Sequence, residues 1–292
     1  MSWPKDLLAQ VSVDRIRDHI RQLEGIRHPV VDPQALEQAA EYIDTQFRSL
    51  GYPVEPHFFN QGGRQFRNII ATRRGRRHPE ERVMVIAHYD TVPVSPGADD
   101  NASGVAVLLE LATVLEPVQF DRTVQFIAVN LEEHQSNGPL EETALLGSRA
   151  LAVHGREQGW KIEGVAVLET IAYAGETIVQ KAPEALPIEL PEYGDFIAIV
   201  GNETSARLVQ AFVRAAERHQ IPLPLVPLVV PGRGEMLPDT RRSDHSAFWD
   251  QGFKAVMVTD TADFRNPNYH QPTDTLDTLN LPFAAQVCRL VG

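Results

Sequence analysis

The chain has 292 residues, 43% hydrophobic and 23% charged, with 27 basic against 39 acidic side chains and a net charge of −12. Such a composition suits a folded domain with a substantial core and excludes disorder, collagen and coiled coil, while the acidic balance argues against nucleic acid or an anionic membrane as a partner. A single cysteine, Cys288, excludes an internal disulfide and any thiolate-rich metal site, so a bound metal would be held by His, Asp and Glu.

The start, Met1 to Asp6, leads directly into a polar, helix-like pattern without the apolar stretch of a signal peptide, which points to a cytoplasmic protein. No run approaches the roughly 18 apolar residues of a membrane span. Val13, Ile16, Ile20 and Leu23 recur at helical spacing, and a second helix opens at Pro33 and runs through Leu36, Ala39, Ala40, Ile43 and Phe47 to Gly51. Strands follow at 54–59 and 66–72 around Gln61-Gly62-Gly63. The basic stretch Arg73 to His78 reads as a solvated hairpin tip. Val83 to Ala87 is continuously apolar, as in a strand covered on both faces.

Helix and strand then alternate: helix 103–115, strand 124–130, helix 145–157, strand 164–169, strand 196–200, helix 203–219, strands 225–230 and 255–259, and a final helix from about 281. The pattern predicts one α/β domain over 1–292, a mixed and mostly parallel sheet sandwiched by helices. Long loops are expected at 134–144, 174–194 and 222–242. Oligomeric state is not readable from these features.

In an open parallel sheet, ligands bind beyond the carboxyl ends of the strands. Those ends carry His88-Tyr89-Asp90, then Asn130-Leu131-Glu132-Glu133, then Leu168-Glu169-Thr170. Folding alone requires no such gathering of imidazole and carboxylate. His88 and Asp90, two apart on an extended chain, point to one side, so Asp90 can orient the histidine. In Gly97-Ala98-Asp99-Asp100-Asn101-Ala102-Ser103-Gly104, small residues permit a tight turn into a helix; the acidic pair there is equally well explained as helix capping. Glu132 and Glu133 alternate sides, so that one can face a metal and the other a water. His270 sits in a turn-rich loop where a histidine is ordinarily surface. Taken together, His88, Asp99, Glu133, Glu169 and His270 form a ligand set suited to two divalent ions, most naturally Zn2+.

These blocks, with Ser243-Asp244-His245 and Tyr269-His270-x-Pro272-x-Asp274-Thr275, resemble the zinc aminopeptidases of metallopeptidase family 28 in order and spacing over residues 83 to 276. The resemblance implies that Asp99 bridges two zinc ions. His88 and Glu169 would complete one site and Glu133 with His270 the other. Glu132 would be the general base and Asp90 would orient a ligand. It further implies a cis bond after the bridging aspartate, placed at Asp99–Asp100. The chain departs from the family in carrying Glu169 where aspartate is usual, and in inserting His134 to Ala144 before the Gly147-Ser148 helix start. Arg242 and His245 are the candidates for substrate contact, although a surface arginine and a hydrogen-bonded structural histidine are the plainer readings of each.

The expected activity is therefore hydrolysis of N-terminal residues from peptides with a free amino terminus. A single-zinc, glutaminyl cyclase-like transferase on the same fold is the first alternative, and a non-catalytic peptide-binding domain the second.

Overall fold

The computed structural model describes residues 7–133, 143–183 and 186–292. Most of the 134–144 insertion therefore lies outside the described residues. Among the described residues, eight strands form one mixed sheet in the order β1-β2-β4-β3-β5-β8-β6-β7. They are β1 (Val54–Gln61), β2 (Arg64–Arg73), β3 (His78–His88), β4 (Arg122–Val129), β5 (Lys161–Glu169), β6 (Ile197–Asn202), β7 (Leu225–Val230) and β8 (Ala255–Thr259). The central run β4-β3-β5-β8 is parallel throughout, whereas β1–β2, β2–β4 and β6–β8 are antiparallel. This is the predicted fold class.

One reading is corrected by the strand order. Residues 73–78 are not a hairpin tip, because β4 lies between β2 and β3. The crossover is held instead by backbone bonds from Arg76, Arg77 and His78 to Phe120 and Asp121. Both sheet edges carry a proline, Pro56 in β1 and Pro227 in β7, residues that interrupt the unpaired row of donors where another chain would add.

The helices are α1 (Val13–Leu23), α2 (Pro33–Ser49), α3 (Gly104–Leu115), α4 (Leu146–Glu157), α5 (Ala206–His219), α6 (His245–Asp250) and α7 (Leu281–Val291). Alternation along the strands sorts two cores. Val85, Ala87, Phe126, Leu168 and Val258 face α1, α2, α3, α5 and α7; Met84, Ile86, Val129, Val167 and Met257 face α4 and α6. The central α3 is buried nearly all round, and its Glu110 is 0% exposed. That carboxylate accepts from Arg15 Nε at 2.8 Å and from the Ser12 amide at 2.7 Å, as a buried charge requires. By the same parity His88 and Glu169 fall on the α4/α6 face, which fixes the side on which a site can open. Among the described residues no helix is long and apolar enough to cross a membrane.

Candidate metal centre

His88 ends β3, Glu169 ends β5, Glu132 and Glu133 follow β4, Asp100 lies in the 98–103 segment between β3 and α3, and His270 lies between β8 and α7. All meet beyond the carboxyl ends of the parallel strands. His88 Nε2 stands 3.2 Å from Asp100 Oδ1, 3.5 Å from Glu169 Oε1 and 4.0 Å from Glu132 Oε2. His270 Nε2 stands 3.0 Å from Asp100 Oδ2 and 3.2 Å from Glu133 Oε2. Asp100 thus stands between two clusters of ligand-type atoms, one oxygen towards each histidine.

That aspartate is Asp100, which corrects the expectation for Asp99. Asp99 turns away: its Oδ1 accepts from the Ala172 amide at 3.0 Å and its Oδ2 from Asn266 Nδ2 at 2.8 Å. Burial and the neighbouring Asp260 push the Asp99 carboxyl well above the usual carboxylate range, and Asp260 itself rises to about 6, chiefly through burial. The cis peptide likewise falls at Asp100–Asn101, not at Asp99–Asp100.

Two buried carboxylates hold the loops that carry these groups. Asp90 accepts from the amides of Glu132 and Glu133 at 3.0 and 3.1 Å, and its Oδ1 lies 3.5 Å from His88 Nδ1. Asp274 does the same for Asp99 and Asp100, at 2.9 and 3.1 Å. Asn101 ties the segment to the end of β5, donating to the Leu168 carbonyl and accepting from the amides of Gly104 and Thr170. Ser243 donates to Glu169 Oε2 at 2.7 Å. At Gly147, a Cβ would meet the Asn130 carbonyl at 2.2 Å, so α4 can start this close to the Glu132 turn only with glycine there. The backbone is strained at the ligand turns: Leu131, Thr170 and His270 have φ of 55°, 44° and 58°. Each such position costs a non-glycine residue about 1–2 kcal/mol, which the clamps offset.

The electrostatics fit a cation. Burial lowers the basicity of His270, yet Glu133 and Asp100 lift it to about 11; His88 is likewise carried well above its ordinary value against burial by Glu169 and Glu132. Burial and the Asp100 charge push Glu133 up to about 7, whereas the two histidines overcome burial at Asp100 and hold it below the usual range. The clustered carboxylates thus favour positive charge at both histidines. Nor do the short contacts have hydrogen-bond geometry: among the described residues, His88 Nε2, both Asp100 oxygens and His270 Nε2 are buried without a hydrogen-bond partner. Lone pairs converging on common points, rather than on one another, are what a metal-binding donor set presents.

A pocket opens beside the centre, with Glu169 and Tyr269 in its wall. Its lining is mostly aliphatic, from Val200, Leu228 and Met257 of the sheet and from Leu186, Ile188 and Leu190 of the 174–194 loop. Arg242 lies in the wall with its charge matched by Asp263 at 2.9 Å and its guanidinium over the Tyr269 and Phe264 rings. His245 does not reach the pocket, which corrects its assignment to substrate. It is 0% exposed, bonded through Nε2 to the Thr240 carbonyl at 2.8 Å and packed edge-on against Trp249. Asp100, Asp274, Asn101 and Ser243 received no role at the site from sequence; all four lie in the motifs already quoted, which is the signal that could have found them.

The sequence profile of peptidase family M28 matches residues 68–292. Uncharacterized protein YfbL of Escherichia coli (strain K12) is 34% identical over 290 residues, 94% of this chain and 85% of that protein. Leucine aminopeptidase 1 of Arthroderma otae is 31% identical over 238 residues, 77% of this chain but only 56% of its own length. In three dimensions, LapB of Legionella pneumophila aligns with a TM-score of 0.75 at 23% identity, over 98% of this chain and 72% of its own. A glutaminyl cyclase of Porphyromonas gingivalis aligns with a TM-score of 0.72 at 22% identity, over 96% of each chain. At those identities the structural likeness is one of fold. The chain belongs to peptidase family M28, and its class is that of a peptidase hydrolase.

Proposed function

We propose that this member of peptidase family M28 is an aminopeptidase that works with two divalent cations, zinc being the natural match to an imidazole-and-carboxylate donor set. The single observation that carries the reading is Asp100, whose two oxygens face different histidines, each with its own glutamate. His88, Glu169 and one Asp100 oxygen would hold one ion, and His270, Glu133 and the other oxygen the second. When bound, the ions would polarise the scissile carbonyl and make the attacking water more acidic.

The chain's own groups do the rest. Glu132 is the carboxyl left over from the pairing, and burial, reinforced by Glu169 and Glu133, raises it well above its ordinary range. Such a carboxyl can take a proton from water and return it to the leaving amine. The acidic surroundings hold the free amino group of the peptide, and the aliphatic pocket takes the side chain of its first residue. The aminopeptidase relatives support this reading; two complete ligand clusters favour it over a cyclase with a single zinc.

A panel of aminoacyl chromogenic substrates, run with and without chelator beside a glutaminyl cyclisation assay, tests it. Expected are hydrolysis of aliphatic aminoacyl substrates, loss with chelator and near two zinc ions per chain. Glu132→Gln should lower turnover by about 10²–10⁴-fold at unchanged zinc content; near-normal rates would rule out Glu132 as the base. One zinc per chain with cyclisation would establish the transferase instead.

A further inference from the structure

Arg27, in the loop between α1 and α2, is 2% exposed, and among the described residues no carboxylate pairs with it. Its guanidinium is spent on five backbone carbonyls. Nε donates to Tyr89 O at 2.8 Å; Nη1 to Leu23 O, to Gly25 O at 2.8 Å and to Pro96 O at 3.0 Å; and Nη2 to Gly97 O at 3.0 Å. Its backbone pairs with Thr91, the amide donating to Thr91 Oγ1 at 2.8 Å and the carbonyl accepting from the Thr91 amide at 3.1 Å. Tyr89 and Gly97 bound the segment that leads from His88 to Asp100. At Gly97, where φ is 60°, a Cβ would meet Arg27 Nη2 at 3.0 Å and the Asp100 carbonyl at 2.3 Å, so the arginine is packed against the turn that presents Asp100.

A buried guanidinium is costly unless its donors are satisfied. Here they are satisfied by carbonyls alone, and the charges that face it are those of the centre: Asp90, Asp100, Asp274 and Glu133. Burial lowers its pKa to about 10, so it stays charged at neutral pH. The planar fork reaches both ends of the segment at once, as an ammonium cannot.

We infer that Arg27 is a positioning residue of the metal centre: by bonding both ends of the 89–97 segment it fixes Asp90 and Asp100 relative to one another, and so sets the geometry and strength of cation binding. The inference rests on the reading that Asp100 binds metal. The test uses cobalt(II) as probe, with affinity measured by competition against a chromophoric chelator and geometry by the visible absorption of the cobalt protein. Arg27→Lys keeps the charge but loses the fork. It should bind cobalt more weakly by about tenfold or more and show an altered spectrum at full occupancy, with the wild-type circular dichroism. Wild-type affinity and spectrum in this variant overturn the inference. Should Arg27→Lys not fold, Thr91→Val removes only the hydroxyl that accepts the Arg27 amide; cobalt binding weakened about threefold supports the inference, and unchanged binding overturns it. Absence of cobalt uptake by the wild type overturns the metal reading itself, a different result from uptake that ignores Arg27.

Discussion

Strand β3 meets a histidine and two glutamates at each of its ends. At the amino end His78, Glu80 and Glu81 bring ligand atoms within 4.8 Å of one another; at the carboxyl end His88 does so with Glu132 and Glu169. The composition is the same and the chemistry is not. The amino-end group comes from one strand, stands largely in water, and has Glu81 already paired with Arg122 at 2.5 Å. The carboxyl-end group comes from three strands, is 0%, 8% and 7% exposed, and its members are held by Asp90 and Ser243. Nearness alone leaves side chains free to solvate themselves. Burial removes that option and makes a cation the cheapest source of compensating charge.

The comparison breaks most sharply at the shared aspartate. Asp100→Asn should lose zinc by elemental analysis and lower turnover by more than about a thousandfold, some 4 kcal/mol. Asp99→Asn should keep the wild-type zinc content, because both oxygens of that carboxyl accept from Ala172 and Asn266 and neither faces the histidines; metal loss in this variant alone would reverse the assignment. Next in size, Asp274→Asn leaves one oxygen for two amide donors. It should weaken zinc binding by about 10–100-fold in a chelator competition, and an unchanged affinity would remove Asp274 from the scaffold.

Stability against pH sharpens the same contrast. In chelated protein, burial raises Asp260 to about 6 and Asp244 and Asp274 to about 7. Their folded values exceed the unfolded value near 4. The stability they contribute is therefore complete below about pH 4 and is lost as pH rises through 6 to 7. His270 has the same sign but is lost only towards pH 11, and Asp100, held low by the histidines, has the opposite sign and is not lost in this window. The midpoint of thermal unfolding should fall by about 5 °C between pH 5 and 8, and saturating zinc should flatten the slope; a rise without metal would contradict the description. The smallest effect belongs to the amino end. His78→Gln should change stability by no more than about 0.5 kcal/mol and leave the zinc content as it was.

Much of this was legible before any coordinates. Periodicity and apolar runs locate the helices and strands that frame the site, since a covered strand such as 83–87 and an amphipathic stripe such as Leu36, Ile43 and Phe47 have few other uses. The polar residues at successive strand ends mark the rim, because a parallel sheet delivers all those ends to one side. Strand-end position and residue type thus singled out His88, Asp99, Glu133, Glu169 and His270, and the family resemblance added Glu132; all but Asp99 stand together although up to 182 positions separate them. What sequence could not decide is which of two adjacent, chemically identical carboxylates faces the histidines. That depends on the dihedral angles at Asp100, φ −107° and ψ 90°, and on amides anchored to Asp274, 174 residues away. Nor does sequence show that His245 turns inward to a carbonyl, or that Arg27 bonds both ends of the loop beneath the candidate metal centre. A side chain's direction is set by contacts made across the fold, and only the folded chain brings those contacts into being.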